Sequence, residues 1–173
     1  MASNLQRAMR NANRSTINKV LAKAKTATSK AVREVYNIKT GDLNKVLKLR
    51  RASNQRLQGL ITVKTSKTSL IKFGALPRQI NRRAGVTVKV KKAGSRKVVT
   101  GGFIAKAAGV DAKQIFIREG KARLPIQKRF SLSMSDMVEI QGEKALNNTI
   151  KNELPKLQRK ELEFYIQREL RRR

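Results

Sequence analysis

The sequence predicts an α+β fold with a long N-terminal helix, a central and mostly antiparallel β-sheet or sandwich, and C-terminal helices. Apolar residues recur at steps of three and four at both ends of the chain, as on one face of a helix. In the middle they alternate with polar residues or form short β-branched runs, as in strands. We therefore expect one domain over residues 1–173, made of a helical region 1–50, a β region 57–132 and a helical region 133–173.

The N-terminal helix is predicted over residues 5–35, where no Pro or Gly interrupts the apolar pattern. It should end before a turn at 36–41. Thr40 or Asp42 could then cap a short second helix that runs to Leu47, because their side-chain oxygens can accept hydrogen bonds from the free amides of a first helical turn.

Six short stretches are predicted to be strands, and most should be antiparallel because their connections are short. The clearest is 86–91, Val-Thr-Val-Lys-Val-Lys, in which three valines share one face. The others are 57–64, 69–73, 97–100, 103–105 and 114–118. The stretches predicted to be exposed loops are 75–85, 92–96 and 107–113.

The helical period returns at Ser133 or Ser135 and continues toward the C-terminus. Pro155 must either open a helix or kink one, because proline lacks an amide hydrogen and its ring clashes inside a straight helix. We therefore expect two helices, or one bent helix, meeting at 153–156. The last segment carries an apolar stripe that should pack on the core or on another subunit: Leu157, Leu162, Tyr165, Ile166 and Leu170.

Charge is the strongest indication of function. The chain carries a formal net charge of +30, and residues 1–133 hold 32 Lys and Arg against four carboxylates. Residues 134–173 hold nine against seven, interleaved as in Lys160, Glu161 and Glu163, which predicts exposed ion pairs along a helix face. So basic a chain repels itself unless a polyanion or an acidic partner neutralises it.

The composition argues against an enzyme. The chain has no Cys and no His, which excludes thiolate and imidazole metal ligands and the nucleophile–base pairs built on them. Gly101-Gly102 lacks the Lys and Ser or Thr of a phosphate-binding loop and indicates a hairpin bend. We expect no catalytic, metal or cofactor site, no membrane span and a soluble intracellular product.

A basic cluster on one predicted strand pair and its loops is the candidate binding surface. Its members are Arg82, Arg83, Lys89, Lys91, Lys92, Arg96 and Lys97. Aromatic residues are few and most occupy core-like positions, so no stacking platform for bases is evident. Contact with nucleic acid would then be through the phosphate backbone, without base recognition. A merely solubilising surface, or docking onto acidic neighbouring proteins, are the competing interpretations.

Several strings, in this order along the chain, resemble the minor tail protein Z family of long-tailed phages. They are Ile17-Asn18-Lys19-Val20, Val32-Arg33-Glu34, Leu70-Ile71-Lys72-Phe73-Gly74, Gly101-Gly102-Phe103-Ile104-Ala105, Ile117-Arg118-Glu119-Gly120 with Leu124-Pro125-Ile126, and Glu153-Leu154-Pro155-Lys156. The turn Thr40-Gly41-Asp42-Leu43 is similar to a Thr-Gly-x-Leu turn of head–tail and tail-completion proteins. The resemblance covers nearly the whole chain, except the basic stretch between Leu47 and Ile71.

The resemblance implies a structural virion protein, a tail-completion or neck component at the head-proximal end of the tail, assembled in the host cytoplasm. It also implies a ring near the DNA path, for which a hexamer is the first expectation. The expected partners are the tail terminator or tube and the head-side connector, with non-specific DNA contact as well. Two alternatives stay open: a free non-specific nucleic-acid-binding protein of nucleoid or ribosome type, and a tail assembly chaperone.

Overall fold

The computed structural model describes residues 2–64, 67–77, 85–106 and 112–171. Its helices lie at the two ends of the chain: α1 (Ala2–Val35), α2 (Thr40–Val46), α3 (Met134–Met137) and α4 (Glu143–Leu170). A π-helical turn, Val138–Gly142, joins α3 to α4 without a break. The long N-terminal helix and the C-terminal helical region are therefore confirmed.

The strands are short and lie between the helices. In the described part of the chain they are β1 (Leu47–Arg50), β2 (Leu60–Val63), β3 (Lys67–Ser69), β4 (Val86–Val88), β5 (Lys97–Val99), β6 (Phe103–Lys106), β7 (Lys113–Arg118), β8 (Ile126–Lys128) and β9 (Phe130–Ser133). Each of their pairings is antiparallel: β1 with β2, β3 with β9, β4 with β5, and β7 with both β6 and β8. The predicted α+β class is confirmed, with several small sheets in place of one large sheet.

Helices α1 and α4 pack against each other along their lengths. Ser15 contacts Glu161, and Lys23 contacts Glu153, so the two helices run antiparallel. One row of buried residues on α1 repeats every four residues and consists of small or β-branched side chains: Ala8, Ala12, Thr16, Val20, Ala24, Thr28 and Val32. Small side chains at this spacing let two helix backbones approach closely.

Two apolar clusters form the core. The first gathers around the C-terminal end of α1 and consists of Val32, Tyr36, Ile38, Leu43, Leu47, Phe73, Met134 and Met137. The second lies among the strands and consists of Ala75, Val86, Val88, Ile104 and Ile115. The alternating valines of β4 thus face inward as predicted, because Val86 and Val88 are both buried.

Several sequence predictions about the strands need correction. The predicted strand 69–73 is wrong beyond Ser69, because Leu70–Lys72 form a 3-10 turn closed by a 3.1 Å bond from Phe73 N to Leu70 O. This turn brings the Phe73 ring into the first core cluster. Leu47 begins strand β1 and does not end a helix, and β8 and β9 were not predicted. The division into three regions stays a prediction.

The helix caps differ in how well they match the sequence signals. Ser133 caps α3, at one of the two positions where the helical period was expected to return. Its Oγ accepts from Asp136 N while Asp136 Oδ2 accepts from Ser133 N. The cap predicted for α2 is wrong, because Lys39 occupies that position and makes no side-chain cap bond. Pro155 lies inside α4, so the two-helix alternative is also wrong.

Gly142 packs closely against α1. A Cβ atom on this residue would lie 2.7 Å from Thr28 Cγ2 and 3.4 Å from Val32 Cγ2. Both neighbours are β-branched side chains on a helix, where their rotamers are restricted. Any residue larger than glycine must therefore displace the Thr28 side chain or shift one helix relative to the other.

We predict that Gly142→Ala lowers the free energy of unfolding by about 1–3 kcal/mol through overpacking. Gly41→Ala is the control, because nothing lies within 4 Å of a Cβ built there, and it should be neutral or stabilising by up to about 1 kcal/mol. Thr28→Ser removes the clashing methyl group and should restore part of the loss when combined with Gly142→Ala. Urea unfolding measures all three variants. Equal stability of Gly142→Ala and Gly41→Ala would contradict the close helix contact.

Candidate polyanion interface

Carboxylates are distributed unevenly between the helical and strand-bearing parts of the chain. Residues 47–133, here called the basic segment, hold 22 Lys and Arg against two carboxylates, Asp111 and Glu119. Seven of the eleven carboxylates lie in residues 134–173, the part that packs against the basic helix α1. The helical part thus carries its own counter-charges, whereas the basic segment has almost none.

Glu161 is the charged residue that ties α4 to α1. It is only 4% exposed, and its carboxylate accepts a hydrogen bond from Lys19 Nζ at 2.5 Å and from Ser15 Oγ at 2.6 Å. A second pair, Lys23 with Glu153, joins the same helices at 2.6 Å. The expectation that Glu161 lies on a solvated helix face is therefore wrong. One signal pointed to burial, because Glu161 lies four residues after Leu157 and four before Tyr165.

The two carboxylates respond to their surroundings in the same direction. Burial alone raises the pKa of Glu161, but the hydrogen bonds from Lys19 and Ser15 outweigh it, so the pKa is lowered from 4.5. The hydrogen bond from Lys23 lowers the pKa of Glu153 as well. Both groups are therefore held as carboxylates, which lets them offset the positive charge of α1.

The described members of the predicted basic cluster lie around the β4–β5 hairpin. Val88 pairs with Lys97 at the closed end of this hairpin. Lys91, Lys92 and Lys97 are exposed and Lys89 is half-buried. The Arg96 guanidinium is exposed but donates to Gly74 O at 2.8 Å, so it also fastens the hairpin to the preceding turn.

The segment that carries Lys89, Lys91 and Lys92 is anchored to the end of α1. Lys92 N donates to Val35 O at 2.8 Å, and Asn37 N donates to Val90 O at 2.8 Å. The Asn37 side chain donates to Lys89 O at 3.1 Å. After Val88 the chain therefore leaves its pairing with β5 and crosses to α1, so the predicted strand 86–91 is cut short. These lysines are held on a fixed backbone and do not project on a free ribbon.

The remaining predicted site residues are only partly brought together. Arg82 and Arg83 lie outside the described residues. Of the predicted apolar stripe on α4, Leu157, Leu162 and Tyr165 are half-buried, while Ile166 is 37% and Leu170 61% exposed. The roles of these residues in DNA contact and subunit packing stay predictions.

Further cations of the basic segment were not singled out from the sequence. The Arg118 guanidinium lies 5.4 Å from the centre of the Phe103 ring, and Lys128 Nζ lies 5.1 Å from the centre of the Phe130 ring. Such cation–π contacts hold cationic side chains against the surface. Strands β8 and β9 were not predicted, so the sequence placed neither Lys128 nor Phe130 on a strand. The basic surface is therefore wider than the predicted cluster.

The glycine pair after β5 forms a bend, as expected. Gly101 has φ +66, which favours glycine, and Gly102 N donates to Val99 O at 2.8 Å.

Within the described residues, no three His, Cys, Asp or Glu side chains group as metal ligands. No helix in the described ranges is both long and apolar enough to span a bilayer.

These features define a small basic α+β protein whose counter-charges are concentrated on its helices. A family model described as prophage minor tail protein Z (GPZ) matches residues 2–172. The chain belongs to this family and is a phage minor tail protein, so the resemblance seen in the sequence is confirmed. No curated protein and no solved structure matches the chain.

We predict that Glu161→Gln lowers the free energy of unfolding at neutral pH by about 1.5–3 kcal/mol, because it weakens hydrogen bonds made to a charged group. The pKa of Glu161 is lowered in the folded chain, so its stabilisation is full above pH 4.5 and is lost as pH falls through the lower folded value. The difference between the two proteins should therefore shrink below pH 4.5. Glu163→Gln, on an exposed neighbour, is the control and should change stability by less than about 0.5 kcal/mol. A pH-independent difference would contradict this account.

Proposed function

We propose that this minor tail protein completes the head-proximal end of the tail as a ring, with its basic segment directed toward the path of the DNA. Family membership supports a place in the phage tail, and therefore in the virion. The observation that carries the finer proposal is the separation of charge. The helices carry most of the counter-charges, whereas 22 cations of the basic segment face only two carboxylates.

In a ring, this separation of charge would attract DNA into the channel. Copies arranged around a channel would add their positive potentials inside it and attract a polyanion passing through. The same copies would repel one another without DNA, so the DNA itself would help to stabilise the ring. Closed rings form through head-to-tail contacts when the rotation between subunits closes, and the symmetry implied by the family makes six copies our first expectation.

The exposed cations suit a contact that does not depend on DNA sequence. Lys91, Lys92 and Lys97 present ammonium groups that bind phosphates as point charges. Phosphate contacts position a protein on DNA but carry no sequence information. A protein at the head-proximal end of a tail must tolerate every sequence of the genome, and contacts of this kind allow DNA to slide past.

Two other functions remain candidates, and the protein content of purified particles separates them from the proposal. A free nucleic-acid-binding protein would be absent from particles and would bind DNA on its own in the infected cell. A tail assembly chaperone would also be absent from finished particles, and its loss would stop tail assembly. A component of the head-proximal end would be present in a few copies at that end. Enzymatic activity is not part of the proposal.

We predict that the isolated protein binds duplex DNA with an affinity that falls steeply with salt and does not depend on sequence. Each phosphate contact adds about 0.9 to the slope of log affinity against log salt. Lys91→Gln with Lys92→Gln should therefore lower this slope by about 1.8. The matched control is Lys144→Gln with Lys151→Gln, two exposed lysines of α4, which should leave the slope unchanged. Fluorescence anisotropy over a salt series on two unrelated sequences measures it.

An equal loss of slope in both double variants would show that the DNA contact is spread over the whole chain. Binding that is insensitive to salt, or strongly selective for one sequence, would contradict the proposal. If Lys91→Gln with Lys92→Gln leaves DNA binding unchanged but yields tails that do not join heads, the lysines dock onto an acidic neighbouring protein.

A further inference from the structure

One stretch of the chain reverses the general charge. Residues 130–143 contain no Lys or Arg and three carboxylates, Asp136, Glu139 and Glu143. No other stretch of this sequence runs so long without a cation. In a chain of net charge +30, it is the place where a positively charged surface can approach without repulsion.

The acidic stretch surrounds an exposed apolar side chain. Ile140 is 59% exposed, and Glu139 and Glu143 beside it are both exposed. Neither carboxylate pairs with a cation among the residues that the structure describes. Met137 and Gly142 are buried on the opposite side of the same helical run, where Gly142 faces α1. Glu139, Ile140 and Glu143, here called the Ile140 patch, therefore face away from the core.

A surface of the opposite character lies on the loop between β7 and β8. In residues 119–125, Leu124 is 66% exposed and lies beside two exposed cations, Lys121 and Arg123. The loop is closed by a 3.3 Å bond from Glu119 N to Pro125 O and by a contact between the Glu119 and Gln127 side chains. It thus presents an apolar side chain flanked by positive charge, here called the Leu124 loop.

We propose that the Ile140 patch of one copy binds the Leu124 loop of the next copy in the ring. The two surfaces match in both respects, because each has one exposed apolar side chain and their charges are opposite. Both are exposed in the same chain, so they do not cover each other within one copy. Contacts between two different surfaces are head-to-tail and extend from copy to copy, which a ring requires.

The charges around this contact would set which surfaces meet. Opposite charges at the rim of an interface guide association and discriminate against wrong partners, and like charges oppose it. Most other surfaces of two copies repel each other, so the Ile140 patch would determine the orientation. This inference rests on the ring that we propose for the tail, and the test below separates the two.

The chain has no cysteine, so a thiol-specific cross-linker links this protein only through cysteines introduced by mutation. Leu124→Cys combined with Ile140→Cys, treated with a short bismaleimide, should give a ladder of covalent oligomers larger than dimers. It should do so in purified protein mixed with duplex DNA and in intact particles. Either single variant should give dimers at most, because one cysteine in each copy cannot continue a chain of links.

Charge exchange tests the pairing itself in the double-cysteine background. Glu139→Lys with Glu143→Lys should abolish the ladder, as should Lys121→Glu with Arg123→Glu, and all four changes together should restore it. Glu163→Lys, an exposed carboxylate elsewhere on α4, should leave the ladder intact. All these residues are exposed, and thermal unfolding should show that each variant folds as the parent does.

The outcomes decide between the inference and the proposed function. If the ladder forms and responds to charge exchange but the protein is absent from particles, the contact is supported and the proposed place at the head-proximal end of the tail is overturned. A ring present at the head-proximal end without the ladder supports the tail role and overturns the contact. Dimers formed efficiently by Ile140→Cys alone, or a link from this variant to a different tail protein, would also overturn the contact.

Discussion

Repulsion among 41 cations is the constraint on which this structure depends, because only 11 carboxylates oppose them. Helix α4 places two of its carboxylates against α1, where Lys19 and Ser15 bind the buried Glu161 and Lys23 binds Glu153. Small side chains along α1 and Gly142 at the start of the partner helix keep the backbones close enough for these pairs to form. The helical pair therefore supplies part of its own charge compensation.

The strand-bearing part holds few carboxylates of its own, and its Lys72 lies 3.5 Å from Asp42 of α2. Its small sheets bury two modest apolar clusters, and its 22 cations have only two carboxylates among them. We propose that most of the neutralisation comes from outside the chain, from DNA and from other copies. The Ile140 patch carries the opposite charge, and we propose that it therefore binds the next copy.

Local patterns in the sequence predicted the parts of the fold that depend on neighbouring residues. The helical period of α1, the alternating valines of β4 and the helix start at Ser133 need no distant partner. Glu161 could not be placed this way, because Ser15 and Lys19 lie some 140 residues earlier in the chain.

Long-range contacts also explain why the candidate site was only partly predicted. Lys89 and Lys91 were expected on a regular strand, but after Val88 the backbone leaves that strand to bind the end of α1. β9 pairs with β3, which lies about 60 residues before it, so no local signal marked Phe130 as a strand residue. The composition alone did show that the chain is basic, and the structure adds which cations are held in place.

The most direct test of this account is hydrogen–deuterium exchange of the full chain with and without random-sequence duplex DNA. The central claim is that a polyanion supplies the charge compensation that the basic segment lacks, whereas the helices supply part of their own. The account predicts slower amide exchange at residues 89–97 and 113–129 when DNA is bound, with little change along α1 and α4. Protection confined to the helices, or no change in the basic segment under conditions where DNA binds, would contradict it.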